Sequence, residues 1–239
     1  MEDSSHSGPI EMTWGMFECV STLGQGAYGD VFKVKCLRST CVATNGTERV
    51  LLTEKQVKKL KAEMTMKGST LKPIQNRAML EGNYYVTKVI NVEKVPQEVG
   101  LEALKEIEFM QSLDSPYIVG YFESFIENQM INIVIEYCPY GDLNTLVQKQ
   151  KALNKAFVEN IVWKIFINIC LGVWTLHSAG MIHRDLKTLN IFMATQSVAK
   201  IGDLGCAKRL NASPIKEASP KKVKPQDMEA DMRVSMADQ

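Results

Sequence analysis

The sequence lacks the features that mark several large classes of protein. Its six cysteines form no CxxC pair and have no histidine-rich companion segment, which argues against a zinc site. Its formal net charge is only +1, so no long-range field draws the chain to nucleic acid or to an acidic membrane. We therefore expect reduced cysteines, a cytoplasmic location, and neither a nucleic-acid nor a membrane partner.

We also expect neither a secretory signal nor a membrane-spanning helix. The opening residues, MEDSSHSGPIEMTWG, are acidic and polar, whereas a secretory signal is basic and then apolar. The one long apolar run, residues 156–177, is interrupted by Glu159, Lys164 and two asparagines, and its uninterrupted parts fall short of the about 20 residues that span a membrane. We predict a helix here that Asn154 caps and that stops at Gly180. Because it is apolar nearly all round, it needs cover on every side.

The first half of the chain has the alternation of a small, mostly antiparallel sheet. β-Branched and aromatic runs occupy residues 17–37, 83–92, 117–127 and 129–138, with glycine-rich or polar turns between neighbouring runs. Between the second and third runs, residues 96–113 predict a helix that packs on the sheet through apolar residues spaced three apart, namely Leu101, Leu104, Ile107, Met110 and Leu113. After residue 138 the pattern turns helical, and Asp142 is placed to cap a short helix.

Three segments fall outside this pattern. Residues 1–16 predict an N-terminal tail. Residues 38–83 are rich in Thr and Lys, and we interpret them as an insertion that adds nothing to the core; their helical middle, TEKQVKKLKAEMTMK, fits a solvated surface helix or a docking face. Residues 211–239 hold three prolines, many charges and no periodicity, which predicts a disordered tail.

A glycine-rich hairpin is the first motif with chemical meaning. In GQGAYGDV, Gly24, Gly26, Gly29 and Val31 match GxGxxGxV, and glycine allows backbone amides to approach phosphate oxygens. A dinucleotide-binding turn would lead into a helix, but DVFKVK alternates as a strand. The motif by itself is equally consistent with a plain glycine-rich turn.

A lysine and a glutamate form the second motif. Lys88 lies in the strand YVTKVI, and Glu106 lies on the following helix beside its apolar stripe. A carboxylate in that position needs a partner, because an unpaired buried charge is costly. We predict an ion pair that leaves the Lys88 ammonium facing nucleotide phosphates, although two unrelated surface charges would show the same spacing.

The third motif is the loop HRDLKTLN, followed thirteen residues after Asn190 by DLG. Asn190 and Asp203 offer the hard oxygen ligands that Mg²⁺ prefers, and Asp185 can accept a hydroxyl proton during phosphoryl transfer. Lys187 would neutralise the γ-phosphate. The alternative, in which all these residues are turn and cap residues, does not explain why the motifs occur in this order.

Together the motifs resemble those of a eukaryotic protein serine/threonine kinase. HRDLKTLNIF, IGDLGCAK, VIEYCPYGDL and LDSPYIVGYFESF are most similar to the NIMA-related branch. The resemblance covers residues 17–37 and 84–210 and implies an α+β, two-lobe fold, with a β-rich N-lobe of one helix at 17–137 and an incomplete helical C-lobe at 138–210. It also implies ATP between the lobes, held by Leu23, Gly24, Gly26, Gly29, Val31, Val86, Lys88, Ile135 as gatekeeper, and the backbone of Glu136 and Cys138.

The resemblance has departures. Leu204 replaces the usual Phe of the magnesium motif, residues 38–83 are inserted, and no APE motif or further C-lobe helices follow DLGCAKRL. We therefore expect a C-terminally truncated or divergent kinase region that uses ATP and Mg²⁺ on a protein substrate, with a partner or chaperone covering the incomplete C-lobe. The alternative is a catalytically impaired, nucleotide-binding pseudokinase-like regulator or scaffold. The resemblance also suggests a cytoskeletal association within the cytoplasm.

Overall fold

The computed structural model describes residues 10–26, 29–42, 49–51 and 78–210. A five-stranded antiparallel sheet, in the order β1-β2-β5-β7-β6, forms one half of the structure. Its strands are β1 (Phe17–Gly26), β2 (Gly29–Cys36), β5 (Tyr84–Asn91), β6 (Tyr121–Glu127) and β7 (Met130–Glu136). Two further short strands, β3 (Thr40–Val42) and β4 (Arg49–Leu51), pair with each other.

Helices and short hairpins form the remainder of the described chain. The helices are α1 (Gln97–Ser112), which lies beside the sheet, α2 (Leu143–Ala152) and α3 (Glu159–Ser178). Strand β9 (Ile191–Met193) pairs with β10 (Ala199–Ile201), and β8 (Met181–Ile182) pairs with β11 (Lys208–Arg209). This arrangement confirms the predicted α+β class, with a β-rich half carrying one helix and a helical half.

Helix α1 packs on the sheet through a different face from the predicted one. Ile107 and Met110 are buried as expected, but Leu101 and Leu104 are about half exposed. The buried row begins at Ala103 and continues through Glu106, Ile107 and Met110. A strict three-residue spacing drifts round a helix of 3.6 residues per turn, so a row with mixed three- and four-residue steps keeps one face towards the core.

Both ends of the predicted insertion contribute to the fold. Thr40 and Met79 exchange backbone hydrogen bonds of 2.8 Å in each direction. Met79 is fully buried in an apolar cluster on one face of the sheet, together with Phe17, Val34 and Val134. The prediction that this insertion adds nothing to the core is therefore wrong for its ends, whereas its helical middle lies outside the described residues, as does the predicted tail at 211–239.

The chain before β1 packs against the same cluster. Met12 and Met16 are buried, and the Trp14 indole donates a 2.8 Å hydrogen bond from Nε1 to Oδ1 of Asn132. The Trp14 backbone N–H donates to Glu127. Residues 10–16, predicted as part of a tail, thus cover one face of the sheet.

Helix α3 begins later than predicted. Val158 occupies its N-cap position without a side-chain cap, and Asn154 lies in the turn after α2 with φ of +49°. The Asn154 cap was therefore wrong, because the intervening residues do not join the helix. Gly180 follows the helix with φ of +69°, which fits the predicted stop, and Asp142 Oδ1 caps α2 by accepting a hydrogen bond from the Thr145 N–H.

One side of α3 is apolar and exposed. Ile165, Leu171 and Leu176 are buried, but the opposite side carries what we call the α3 apolar face, formed by Val162, Trp163, Phe166 and Trp174, each 38–57% exposed. Among the described residues, α3 is also the one helix whose length and composition would allow it to cross a membrane. Composition alone is weak evidence for that, because core helices share it.

We expect Met79→Ala to lower the free energy of unfolding by about 2–5 kcal/mol, because it leaves a cavity in a fully buried site. Urea unfolding followed by circular dichroism measures this. The control is Ile126→Ala, which truncates a side chain that is 70% exposed and should change stability by no more than about 0.5 kcal/mol. Equal stability of the two variants would contradict the assignment of Met79 to the core.

Candidate active site

A cleft of about 500 Å³ opens between the sheet and the helical half. It is lined from the sheet side and from the segment after β7 by eight of the predicted binding residues, namely Leu23, Gly24, Val31, Val86, Lys88, Ile135, Glu136 and Cys138. Glu106, Asn190 and Asp203 line it as well. The structure therefore brings together residues that lie up to 180 positions apart in the chain.

The glycines of the hairpin have different roles. A Cβ atom added to Gly24 would meet no protein atom within 4 Å, and Gly24 lines the cleft, so this backbone leaves room for a ligand. A Cβ on Gly29 would lie 2.1 Å from the carbonyl oxygen of Val89, so packing against β5 explains that glycine. Gly26 pairs with Gly29 at the end of the hairpin. The tip residues, 27 and 28, lie outside the described residues.

The predicted ion pair is present. Lys88 Nζ donates to Glu106 Oε2 over 2.6 Å, and Asp203 Oδ1 lies 4.0 Å from the same ammonium. Glu106 is only 5% exposed. Burial opposes the charge on Lys88, but attraction to Glu106, their hydrogen bond and the more distant Asp203 together raise the pKa of Lys88 above its ordinary value. The ammonium therefore stays charged at the end of the cleft where Asp203 lies.

A compact hydrogen-bond network fixes the loop between β8 and β9. Lys187 Nζ donates to Asp185 Oδ2 over 2.6 Å, and Asn190 Nδ2 donates to the backbone oxygen and to Oδ2 of Asp185. The hydrogen bond from Lys187 lowers the pKa of Asp185 below its usual range, with smaller contributions from the charge of Lys187 and from the Asn190 hydrogen bond. Asp185 is therefore an ionised carboxylate at neutral pH.

The β9–β10 hairpin brings Asn190 and Asp203 together. Asn190 directly precedes β9, Asp203 closely follows β10, and Ile191 pairs with Ile201. The Gly202 N–H donates to the Asn190 oxygen over 2.9 Å. Because Asn190 uses its amide nitrogen on Asp185, its Oδ1 is left without a hydrogen bond among the described residues. A free amide oxygen and a half-exposed carboxylate fit the oxygen-rich ligand set of Mg²⁺.

Buried His183 sets the spacing of the two loops. The Asp185 N–H can only donate, and it lies 3.3 Å from His183 Nδ1, so Nδ1 is the unprotonated nitrogen. Nε2 then carries the proton and donates to the Gly202 oxygen over 3.0 Å. One imidazole therefore connects the backbone beside Asp185 to the backbone beside Asp203.

Asp203 has an unusual backbone conformation. Its φ of +58° is left-handed, and it precedes a 3₁₀ helix at Leu204–Cys206. Leu204 is 1% exposed in the core cluster that contains Met110 of α1. The leucine that departs from the usual magnesium motif therefore still anchors Asp203 by burial.

Sequence reasoning missed several residues in and behind the cleft. Lys200, 4% exposed, donates from Nζ to Glu136 Oε2 over 2.8 Å, and its position inside the apolar run VAKIG was the available signal. Met110, Phe192 and Ile201 add apolar lining. Phe192 follows Asn190 by two residues, but no pattern in the sequence places its ring in the cleft.

Most of the described cleft residues lie in a segment that matches a known family model. The family model for the protein kinase domain matches residues 67–222. The chain belongs to the protein kinase family. The match begins after the β1–β2 hairpin, so the likeness of that hairpin to a kinase glycine-rich loop depends on its geometry and its GxGxxG pattern.

Curated relatives of this kinase chain include several Nek enzymes. The chain is 34% identical over 146 residues to the serine/threonine-protein kinase Nek1 of Mus musculus, covering 61% of this chain. It is 36% identical over 149 residues to the probable serine/threonine-protein kinase nek3 of Dictyostelium discoideum, again covering 61%. It is 37% identical over 134 residues to the serine/threonine-protein kinase Nek5 of Homo sapiens, covering 56%. The matches span only 12%, 13% and 19% of the lengths of these relatives.

We expect the pKa of Asp185 to rise towards its ordinary value in Lys187→Met, because the hydrogen bond that favours the carboxylate is removed. Carbon-13 NMR of the Asp185 carboxyl, titrated from about pH 2 to about pH 7, measures the midpoint. Since the folded pKa is lowered, the wild-type carboxylate protonates only at a pH below the ordinary range.

The Asp185→Asn variant assigns the resonance. Lys35→Met is the control, because Lys35 pairs with the surface residue Glu18 at 3.9 Å, outside the Asp185 loop, and should leave the Asp185 midpoint unchanged. Coinciding midpoints in wild type and Lys187→Met would show that Lys187 does not hold the carboxylate.

Proposed function

We propose that this chain is a protein serine/threonine kinase region that transfers the γ-phosphoryl group of Mg-ATP to a protein hydroxyl. The observation that carries the proposal is the Lys88–Glu106 ion pair with Asp203 4.0 Å from the ammonium, in one cleft with Asn190, whose side chain donates to Asp185. The serine/threonine choice is supported by Lys187 in HRDLKTLN and by the likeness to Nek kinases.

The nucleotide is proposed to lie with its adenine at the β7 end of the cleft. Val31 and Val86 form an apolar wall there, and the N–H of Cys138 has no hydrogen-bond partner among the described residues. Burial raises the pKa of the Cys138 thiol to about 12, so the thiol would stay neutral beside the adenine ring. Leu23 and Ile135 complete this end.

At the opposite end, the residues match the needs of a triphosphate. The Lys88 ammonium would bind the α and β phosphates, with Gly24 leaving space for their approach. Asp203 and Asn190 would hold Mg²⁺, which supplies charge neutralisation on the phosphates. No group of three or more Asp, Glu, His or Cys that could hold a metal ion by itself occurs in the described part of the chain, so phosphate and water would complete the coordination.

Asp185 is proposed as the residue that accepts the substrate hydroxyl proton. Its hydrogen bonds from Lys187 and Asn190 orient the carboxylate and keep it ionised. Lys187 places a second positive charge beside it, where the γ-phosphoryl group would lie. Position and charge together, rather than strong basicity, would support the transfer.

The transfer is tested by incubating the chain with ATP labelled on the γ-phosphate and with casein as a generic acceptor. We expect Asp185→Asn to lower the rate at least about 100-fold while ATP still binds, because general-base help and orientation are lost. We expect Lys88→Met to weaken ATP binding measured by calorimetry. Asp114→Asn, an exposed Asp→Asn change outside the cleft, is the matched control and should leave both quantities unchanged.

The outcomes separate two functions. Transfer that is unaffected by Asp185→Asn would contradict the proposed role of the carboxylate. Binding of Mg-ATP by the wild type without any transfer would favour a nucleotide-binding regulator or scaffold. Equal binding heats for wild type and Lys88→Met would count against the cleft as the nucleotide site.

A partner or chaperone is proposed to cover the α3 apolar face. Trp174 is 57% exposed. Removing large aromatic side chains from water is favourable, so these residues favour association with another protein. We also propose a cytoplasmic location, which rests on the cysteine pattern and the polar opening of the sequence, and a cytoskeletal association, which rests on the family likeness alone.

We expect the wild-type chain to elute in size-exclusion chromatography as large or chaperone-bound species. Phe166→Gln/Trp174→Gln should shift it towards the monomer, because it removes exposed apolar surface from the α3 apolar face. The control, Leu153→Gln, changes an apolar residue that is 63% exposed outside this face. A monodisperse wild-type monomer would overturn the expectation.

A further inference from the structure

A largely buried ion pair joins β10 to β7, two strands that both contribute residues to the cleft. Lys200 lies in β10, three residues before Asp203, and Glu136 ends β7 where the adenine end begins. Lys200 Nζ lies 2.8 Å from Glu136 Oε2, and the side chains are 4% and 23% exposed. Burying both charges carries a desolvation cost that their attraction does not always offset, so stability is a weak explanation for the pair.

Glu136 is held at three points. Its backbone N–H donates to the Gly120 oxygen over 2.8 Å, and its Oε2 accepts from the Gly120 N–H over 3.0 Å as well as from Lys200. Gly120 and Glu136 therefore form a closed two-bond ring, and Lys200 binds the carboxylate that closes it. The ring fixes the orientation of the backbone just before Tyr137 and Cys138.

The segment 117–120 is in turn fixed to β10. The Ile201 N–H donates to the Tyr117 oxygen, and the Val119 N–H donates to the Ile201 oxygen, both over 2.8 Å. Lys200 directly precedes Ile201, so the ion pair and these backbone bonds connect the same three segments. A change at Glu136 is therefore resisted from β10 as well as from β7.

We propose that Lys200 is a positioning residue for adenine recognition, acting through Glu136 to hold residues 136–138 in the orientation that faces the cleft. The inference rests on the proposed function, since it assigns to this backbone the binding of the nucleotide base. Loss of Lys200 leaves Glu136 with only the Gly120 N–H on its carboxylate, and the freed charge can turn towards solvent. The backbone that follows then samples other orientations.

The test separates the two ends of the nucleotide. Calorimetry measures the dissociation constants of adenosine, which has no phosphates, and of Mg-tripolyphosphate, which has no base. We expect Lys200→Met to raise the Kd for adenosine about tenfold, because a hydrogen bond to a charged group is lost behind the adenine end. The Kd for Mg-tripolyphosphate should remain unchanged.

Two controls distinguish positioning from general destabilisation. Lys35→Met makes the same substitution in the exposed Lys35–Glu18 pair and should change neither constant. Glu136→Gln keeps an oxygen for the Gly120 N–H but loses the ion pair, so it should weaken adenosine binding too. If the two residues act as a unit, the double variant Lys200→Met/Glu136→Gln should bind adenosine no more weakly than either single variant.

Hydrogen exchange gives a readout without any ligand. We expect the amide of Glu136, which donates to the Gly120 oxygen, to exchange faster in Lys200→Met than in wild type, with β9 amides unchanged. If the wild type binds adenosine, an unchanged Kd and unchanged exchange in Lys200→Met overturn the inference alone. If the wild type binds neither adenosine nor ATP, the proposed function fails and the inference fails with it. If Lys200→Met weakens binding of both adenosine and Mg-tripolyphosphate and also speeds exchange of the β9 amides, the role of Lys200 is purely structural, which overturns the inference.

Discussion

The ion pair between Lys88 and Glu106 is the contact on which the geometry of the cleft depends. Glu106 lies in the buried row of α1, where an unpaired carboxylate would be costly, and Lys88 supplies the compensating charge from β5. The pair therefore fixes how α1 sits against the sheet. Asp203 then lies 4.0 Å from the same ammonium. Glu106 and Asp203, from two different parts of the chain, thus meet at one lysine.

The apolar core supports this arrangement from behind. Leu204 is buried beside α1 directly after Asp203, so the aspartate is anchored although its own side chain is half exposed. His183 joins the Asp185 loop to Gly202 through two hydrogen bonds. Buried, fully satisfied groups thus position the exposed charges. The proposed phosphoryl transfer needs such an arrangement, because the reacting groups must be accessible while the residues that hold them stay rigid.

Several features could be predicted from the sequence because they depend on local chemistry. The β1–β2 hairpin follows from alternation around glycines, and the Asp142 cap follows from a side chain that reaches an N–H three residues away. The Lys88–Glu106 pair follows from the cost of an unpaired buried charge. Other expectations failed for geometric reasons. The predicted apolar row of α1 was partly wrong because three-residue steps do not match the helical period. The burial of Met79 was missed because it depends on a backbone bridge to Thr40.

The sequence by itself determined which groups are present and which of them need partners: the glycine-rich turn, the ionisable residues of HRDLKTLN and DLG, and the strand pattern that carries Lys88. Those properties are local, since propensity and charge act over a few residues. Only the tertiary structure decided that Lys200 meets Glu136, that Phe192 lines the cleft, and which side of α3 is exposed. Such contacts join residues far apart in the chain, and the packing of whole elements sets their distances. No short pattern encodes that packing.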